Sequence, residues 1–221
     1  MNKTLRQALA MAWMIGVVNM AQATPIVLLS DSFDLENGGA GVAEYSRFTN
    51  FTAANIDLLA PGYFATLCQS AGGGTPCIDM EGSGNGSLTT KTAFDLAANS
   101  VFIAQFDLAG DQRGRNGNQI TAELVGISGE MLYHEVFALA SDADFTTFIR
   151  SIYVPDAGQA RFRFFSGGPA DSMGMLLDNV VLSADSLTAV PVPPSALLFV
   201  SGMAVLGLRC RQAHSTVHMS V

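Results

Sequence analysis

The sequence predicts an all-β protein: one antiparallel β-sandwich domain, flanked by an N-terminal signal peptide and a C-terminal transmembrane helix. Three observations carry that reading. Short runs rich in Val, Ile, Phe and Tyr recur between clusters of Gly, Asn, Asp and Ser. A helical 3.6-residue period is sustained nowhere between the two ends. Each end carries an apolar segment next to basic residues.

At the N-terminus, Lys3 and Arg6 form a basic start and residues 8–21 an apolar run interrupted mainly by Asn19. Ala21-Gln22-Ala23 then supplies the small-x-small pattern that signal peptidase accepts, so residues 1–23 read as a signal peptide and Thr24 as the mature N-terminus. The domain follows over residues 24–183, a length that supports a real core. Its expected strands are 26–29, 101–108, 119–125, 131–139, 145–154, 160–165 and 175–182. In Arg161-Phe162-Arg163-Phe164 charged and aromatic residues alternate, the period-two pattern of one buried and one wet face. Residues 110–118, which contain Asn116-Gly117, read as the turn of a hairpin between two strands. The glycine-rich stretches 72–74 and 82–86 read as exposed loops, without the strand–turn–helix frame of a phosphate cradle.

All 19 acidic residues lie in the segment 24–189 with only seven of the basic ones, a net charge of −12. That surface repels nucleic acid and anionic lipid, and suits solubility or the attraction of divalent cations. Cys68 and Cys77 bracket the glycine-rich loop, and in an oxidising compartment such a pair is expected to form a disulfide rather than remain as two free thiols. Cys210 is left over.

Residues 184–195 are a proline-rich linker, in which Pro191, Pro193 and Pro194 remove backbone donors and stiffen the chain. Residues 196–208 form an apolar anchor helix of about 20 Å at 1.5 Å per residue, short of a hydrocarbon core of about 30 Å. Counting from Val190 the apolar stretch becomes long enough for a marginal span. Arg209 and Arg211 flank it, and the positive-inside rule places the basic, polar tail 209–221 in the cytoplasm with the domain outside.

Val190-Pro191-Val192-Pro193, the small residues Ser201, Gly202 and Gly207 in the apolar helix, and Arg209 with Arg211 together resemble the sorting tail of PEP-CTERM proteins. These are bacterial exported proteins handled by exosortase-type membrane enzymes. Val192 stands where the typical tail has glutamate, and residues 212–221 extend past the arginines that normally finish the chain. The stretches 77–83, 106–114 and 174–182 are similar to the exported jelly-roll domains that often precede such tails, and through them to galactose-binding-like carbohydrate-binding folds. The resemblance implies signal peptidase, an exosortase-like sorting enzyme and the membrane as partners. It also implies a final place at the cell surface or in the extracellular matrix of a Gram-negative-type bacterium.

The resemblance further implies a structural calcium joining the first strand to the last. Asp34 and Asp178 are the ligands it would use, with Asp31 or Glu36 assisting; the alternative is that Asp34 and Asp178 cap turns. For a glycan, Asp107, Asp111 and Arg113 are the candidate ligand-binding residues, joined by Gln112, Arg115, Asp79 and Glu81. Tyr45, Tyr63, Phe64, Tyr133 and Tyr153 are candidates for an aromatic platform. The competing reading makes the Asp and Arg side chains surface pairs that shape a loop.

Catalysis has little support in the sequence. His134 falls in a β-run and His214 and His218 in the tail, while Gly126-Ile127-Ser128-Gly129 is one residue short of a nucleophile elbow. The expected function is therefore a non-enzymatic, surface-anchored or released matrix or biofilm component that engages exopolysaccharide. A secreted glycan-active hydrolase is the alternative.

Overall fold

Strands that alternate apolar and polar side chains each need a partner layer for the apolar face. The computed structural model, which describes residues 25–70 and 72–186, supplies it with two six-stranded antiparallel sheets around a shared core. The strands are β1 (Ile26–Asp31), β2 (Phe51–Ala54), β3 (Asp57–Leu59), β4 (Cys77–Asp79), β5 (Ser87–Thr90) and β6 (Phe94–Leu96). They continue with β7 (Ser100–Ala109), β8 (Gln119–Gly126), β9 (Met131–Phe137), β10 (Thr146–Val154), β11 (Gly158–Gly167) and β12 (Leu176–Ser186). One sheet runs β10-β7-β12-β4-β3, with β1 also on β12; the other runs β2-β5-β11-β8-β9, with β6 also on β11. Two short 3-10 helices, Glu36–Gly39 and Ala65–Gln69, lie in loops.

The seven long runs expected from periodicity all form strands, within a few residues at their ends. The alternation on β11 works as the residues dictate: Phe162 and Phe164 are fully buried, while Arg161 and Arg163 face outward. From the other sheet β7 sends in Phe102 and Phe106. Phe102 stacks on Phe162 at 5.9 Å, and Phe106 meets Phe164 edge-on at 5.1 Å. Each buried phenylalanine contributes about 1.5–3 kcal/mol. At one edge, Arg150 of β10 donates from Nε and Nη2 to the two carboxylate oxygens of Glu135 on β9, both at 2.7 Å. That pair ties one sheet to the other, and the guanidinium lies over the rings of Phe137 and Phe148.

The fold departs from the sequence reading in three places. Residues 110–118 do not close a hairpin: β7 and β8 belong to different sheets, so this stretch crosses between the layers. Gly82 and Gly86 are buried, not exposed; a Cβ on Gly86 would sit 2.4 Å from the Met80 carbonyl oxygen and 2.5 Å from that of Asn55. Strand β12 continues to Ser186, paired with Ser100, so residues 184–186 belong to the sheet and not to the linker. The signal peptide 1–23, the sorting motif Val190, Pro191, Val192 and Pro193, the helix 196–208 and Arg209 and Arg211 lie outside the described residues. Among the described residues no helix is long and apolar enough to cross a membrane.

Cys68 and Cys77 are joined in a disulfide with S–S 2.07 Å. It closes the loop over a small satellite core made with Leu59, Ala109, Phe145 and Leu176.

Candidate functional site

Two groups of carboxylates stand out, each at a place where strands end. The first is set by a bulge in β12 between Asp178 and Val181, where Asn179 takes a left-handed conformation (φ 50°). The extra residue turns Asp178 inward across from its partner Asp107 on β7. Asn179 holds the pair from both sides: its amide N–H donates to Asp178 Oδ1 (2.7 Å) and its Nδ2 donates to Asp107 Oδ2 (2.9 Å). Asp107 Oδ1 is buried without a partner. Burial pushes the Asp178 carboxyl up to about 7, against the lowering pull of the Asn179 and Gly74 amides and with the charges of Asp34 and Asp107 adding to the rise.

The residues expected to assist a calcium there are already engaged. Asp31 accepts the Phe33 amide and the Asn50 side chain, and Glu36 accepts the Thr49 amide and the Tyr45 hydroxyl. Asp34 is exposed and accepts the Ser32 hydroxyl at 2.7 Å. Among the described residues, no three histidine, cysteine or acidic side chains are gathered as a ready-made metal site.

The second group lies where the loops after β4, β7 and β11 converge. Asp79, at the end of β4, is fully buried. Its Oδ1 accepts the amides of Glu81 and Gly174, both at 2.9 Å, and its Oδ2 accepts Arg113 Nη2 at 2.6 Å. Burial nonetheless outweighs the arginine and the amides, and the Asp79 carboxyl is pushed up to about 7. Arg113 also donates from Nε to its own loop at the Asp111 carbonyl oxygen (3.1 Å), and its Nη1 and Nη2 reach the carbonyl oxygens of Ser172 and Gly174. One guanidinium thus fastens three loops. Asp111 is buried and organises the crossover loop, accepting the amides of Arg113 and Arg115 and the hydroxyl of Ser141. Asn118 donates from Nδ2 to the Met173 carbonyl oxygen. Gly174 has to be glycine, because a Cβ there would lie 2.7 Å from the Glu81 nitrogen and 2.8 Å from Asp79 Oδ1.

Alongside, Asp57 of β3 pairs in register with Asp79. It accepts the Glu44 amide (2.9 Å) and the Tyr63 hydroxyl (3.0 Å). The Tyr63 ring meets Phe64 edge-on at 4.8 Å. Phe64 has φ 48° and is 58% exposed, a bulky aromatic held in a left-handed backbone with its ring in solvent. Such a conformation costs about 1–3 kcal/mol and persists only where the surroundings impose it.

The structure therefore brings Asp111, Arg113, Asp79 and Glu81 together and adds Asp57, Tyr63, Phe64, Ser141, Asn118 and Asp171. It separates Asp107, which belongs to the Asp178 group. The Arg113–Asp79 pair is largely buried rather than on the surface, and it does shape the loops it joins. Of the other aromatic candidates, Tyr45 packs on Phe48 and Tyr133 is half-buried against Phe162. Tyr153 is exposed on β10, its hydroxyl donating to Asn99. His134 is bonded to Glu123 on the outer face of the second sheet, where Glu123 also accepts Arg163. A separate cavity of about 90 Å³, floored by Leu96, Leu132, Val154 and Ala160, contains none of the cluster residues and is well below the size of ligand pockets.

No protein-family model matches the chain, and no curated protein matches it. Solved structures do. The C-terminal family 6 carbohydrate-binding module of a marine laminarinase from Zobellia galactanivorans aligns over 65% of this chain and 99% of its own, at 13% identity and TM-score 0.39. The K1 cleaved adhesin domain of Lys-gingipain from Porphyromonas gingivalis aligns over 72% and 98%, at 17% identity and TM-score 0.45. A family 35 carbohydrate-binding module from Paenibacillus barcinonensis aligns over 65% and 98%, at 16% identity and TM-score 0.38.

Proposed function

We propose that this chain is an exported, non-catalytic β-sandwich that binds extracellular polysaccharide, and that it serves as a surface or matrix component. The observation that carries the proposal is Phe64. An exposed ring, fixed in a strained backbone, is braced by Tyr63, whose own hydroxyl is bonded to Asp57 at the edge of the acidic cluster. An aromatic face beside convergent polar groups is the chemistry that stacks on a sugar ring and orients its hydroxyls. The acidic surface favours neutral or cationic glycans over anionic ones. Export by signal peptidase, sorting by an exosortase-like enzyme at residues 190–193 and retention by the apolar helix are part of this reading, supported by the sequence of the two ends.

A structural calcium at Asp34 and Asp178 also belongs to it. Its support is the convergence of Asp34, Asp107 and Asp178 charge on one buried carboxyl, with Asp107 Oδ1 left bare. In that arrangement Asp107 takes the assisting place first given to Asp31 or Glu36.

The hydrolase alternative draws on Asp79, whose carboxyl near 7 has the character of a general acid. Against it, Asp79 is enclosed and spent on Arg113 and two amides. The test is a panel of neutral, cationic and anionic polysaccharides presented to the full chain and to Phe64→Ala. Binding that Phe64→Ala weakens tenfold or more with an unchanged melting temperature supports the reading. Binding to none, or equal binding by the variant, overturns it, and release of reducing sugar abolished by Asp79→Asn would replace it with the hydrolase.

A further inference from the structure

Glu81 is fully buried, and neither of its carboxylate oxygens has a hydrogen-bond partner. Leaving an ionised group in that state costs several kcal/mol unless something compensates it. The neighbouring groups do so only in part. Arg113 is committed to Asp79 at 2.6 Å. Arg115 lies 3.7 Å from Asp171 Oδ2 with its own side chain mostly in solvent. The amides of Asp171 and Met173 and the charge of Arg113 lower the Glu81 carboxyl, but burial and the Asp171 charge prevail and leave it raised.

Asp171 makes the situation sharper. After burial, its charge is the largest influence on Glu81, and its Oδ1 is itself buried and unpartnered. Three bare carboxylate oxygens therefore belong to two acids that act on each other. The surrounding cluster holds five acids, Asp57, Asp79, Glu81, Asp111 and Asp171, and two guanidiniums, of which Arg113 pairs with Asp79 and Arg115 lies near Asp171. A proton shared between Glu81 and Asp171 would serve two of the three oxygens and leave the third bare. A divalent cation satisfies all three at once.

The segment carrying Asp171 has an irregular backbone, held at its far end by Arg113 and Asn118 through the carbonyl oxygens of Ser172, Gly174 and Met173. Gly168, Ala170 and Ser172 all have positive φ, 132°, 53° and 62°, and Gly174 is pressed against Glu81 itself. We propose that Glu81 and Asp171 bind a divalent cation, which pins the β11–β12 loop onto the segment that follows β4. Oxygen-only ligands, one carboxylate able to bind through both oxygens, and completion by main-chain carbonyls and water describe a calcium site better than one for a softer metal. This site is separate from Asp34 and Asp178 and independent of the glycan reading.

The experiment uses the full chain, stripped with chelator and melted at pH 7.5 with CaCl₂ or MgCl₂, as wild type and as Glu81→Gln, Asp171→Asn and Asp34→Asn. A cation bound at a hundred times its Kd raises the melting temperature of a domain this size by about 5–10 °C. The expected result is such a rise with calcium in wild type and a calcium-dependent rise retained in Asp34→Asn. In the Asp34→Asn background, which removes a ligand of the other proposed site, the remaining rise is abolished by adding Glu81→Gln, and adding Asp171→Asn makes it need at least tenfold more calcium. Asp171 is partly exposed, so its variant carries the test if Glu81→Gln fails to fold. No calcium effect in wild type, no rise left in Asp34→Asn, or a rise in that background unchanged by both Glu81→Gln and Asp171→Asn each overturns the proposal. Glycan binding measured in chelator separates its failure from that of the glycan reading.

Discussion

Replacing Asp178 with asparagine is expected to reverse the sign of its effect with pH. Asp178 is 2% exposed, and burial raises its carboxyl from 3.8 to about 7. The native state thus holds this proton more tightly than the unfolded chain. Below about pH 4 the group is protonated in both states and costs nothing. As pH rises from about 4 to about 7 the unfolded chain has given up this proton while the folded chain still holds it. Stability therefore falls by about 4 kcal/mol at most for this group and levels off once the folded carboxyl ionises above 7. Asparagine has no charge to bury. Its oxygen still accepts the Asn179 amide, but its NH₂ is set against the Gly74 amide, a mismatch of about 1 kcal/mol. The variant is therefore expected to be more stable than wild type by up to about 3 kcal/mol at pH 8, and less stable by about 1 kcal/mol at pH 4. Urea denaturation of both proteins in chelator, at several pH values between 4 and 8, measures the difference directly. A difference that does not change with pH would refute the assignment of a buried, uncompensated carboxylate to this position. If calcium added at pH 8 removes the advantage of the variant, the wild-type carboxylate has found a cation.

Arg113→Ala leaves Asp79 buried without its cation and is expected to cost about 3–5 kcal/mol at pH 8. The loss is smaller at pH 5, where Asp79 is protonated, and Asp79→Asn in the same chain recovers most of it in urea denaturation. Replacing both Cys68 and Cys77 with serine opens a crosslink spanning nine positions, and calorimetry should show a loss of about 2–3 kcal/mol that reductant reproduces in wild type. Phe162→Ala removes a fully buried ring that packs on Phe102 and Phe164, and is expected to cost about 3–5 kcal/mol by the same measurement.

The long strands were legible because each is long enough to display its period. In β11, ten residues alternate between core and solvent, so the inward set of Phe162 and Phe164 could be read directly. The five strands β2 to β6 were not legible. Each has three or four residues, and in β3 and β4 every residue is buried, so no alternation exists to be seen. Their pairing is decided by what they lie against: β4 fits between β3 and the start of β12, partners distant in the chain. The crossover after β7 was misread for a related reason. Asn116-Gly117 is compatible with a tight hairpin, yet the partner of β7 on each side is β10 and β12, so the chain has to leave the sheet at Gly110.

The candidate site was legible in part, and the missing part has one physical cause. Composition treats an acid as a surface residue, because acids are seldom fully buried without a partner. Here Asp79, Glu81 and Asp111 are nearly or wholly enclosed, and the compensation for Asp79 comes from an arginine 34 positions away. A sequence shows the two charges but not the three loops that fold around them. The carboxylates expected to act together, Asp107 and Asp111, are four positions apart on and just beyond one strand. Extended backbone rises about 3.3 Å per residue, so that spacing separates them by roughly 13 Å. Nearness in sequence parted this pair, whereas sheet register, which pairs Asp57 with Asp79 and Asp107 with Asp178, made two acidic centres out of residues far apart in the chain. The function of each centre then depends on what neutralises it. For Asp79 that is Arg113; for Glu81 with Asp171, and for Asp178 with Asp107, the described residues leave oxygens bare, and it is there that a cation has most to contribute.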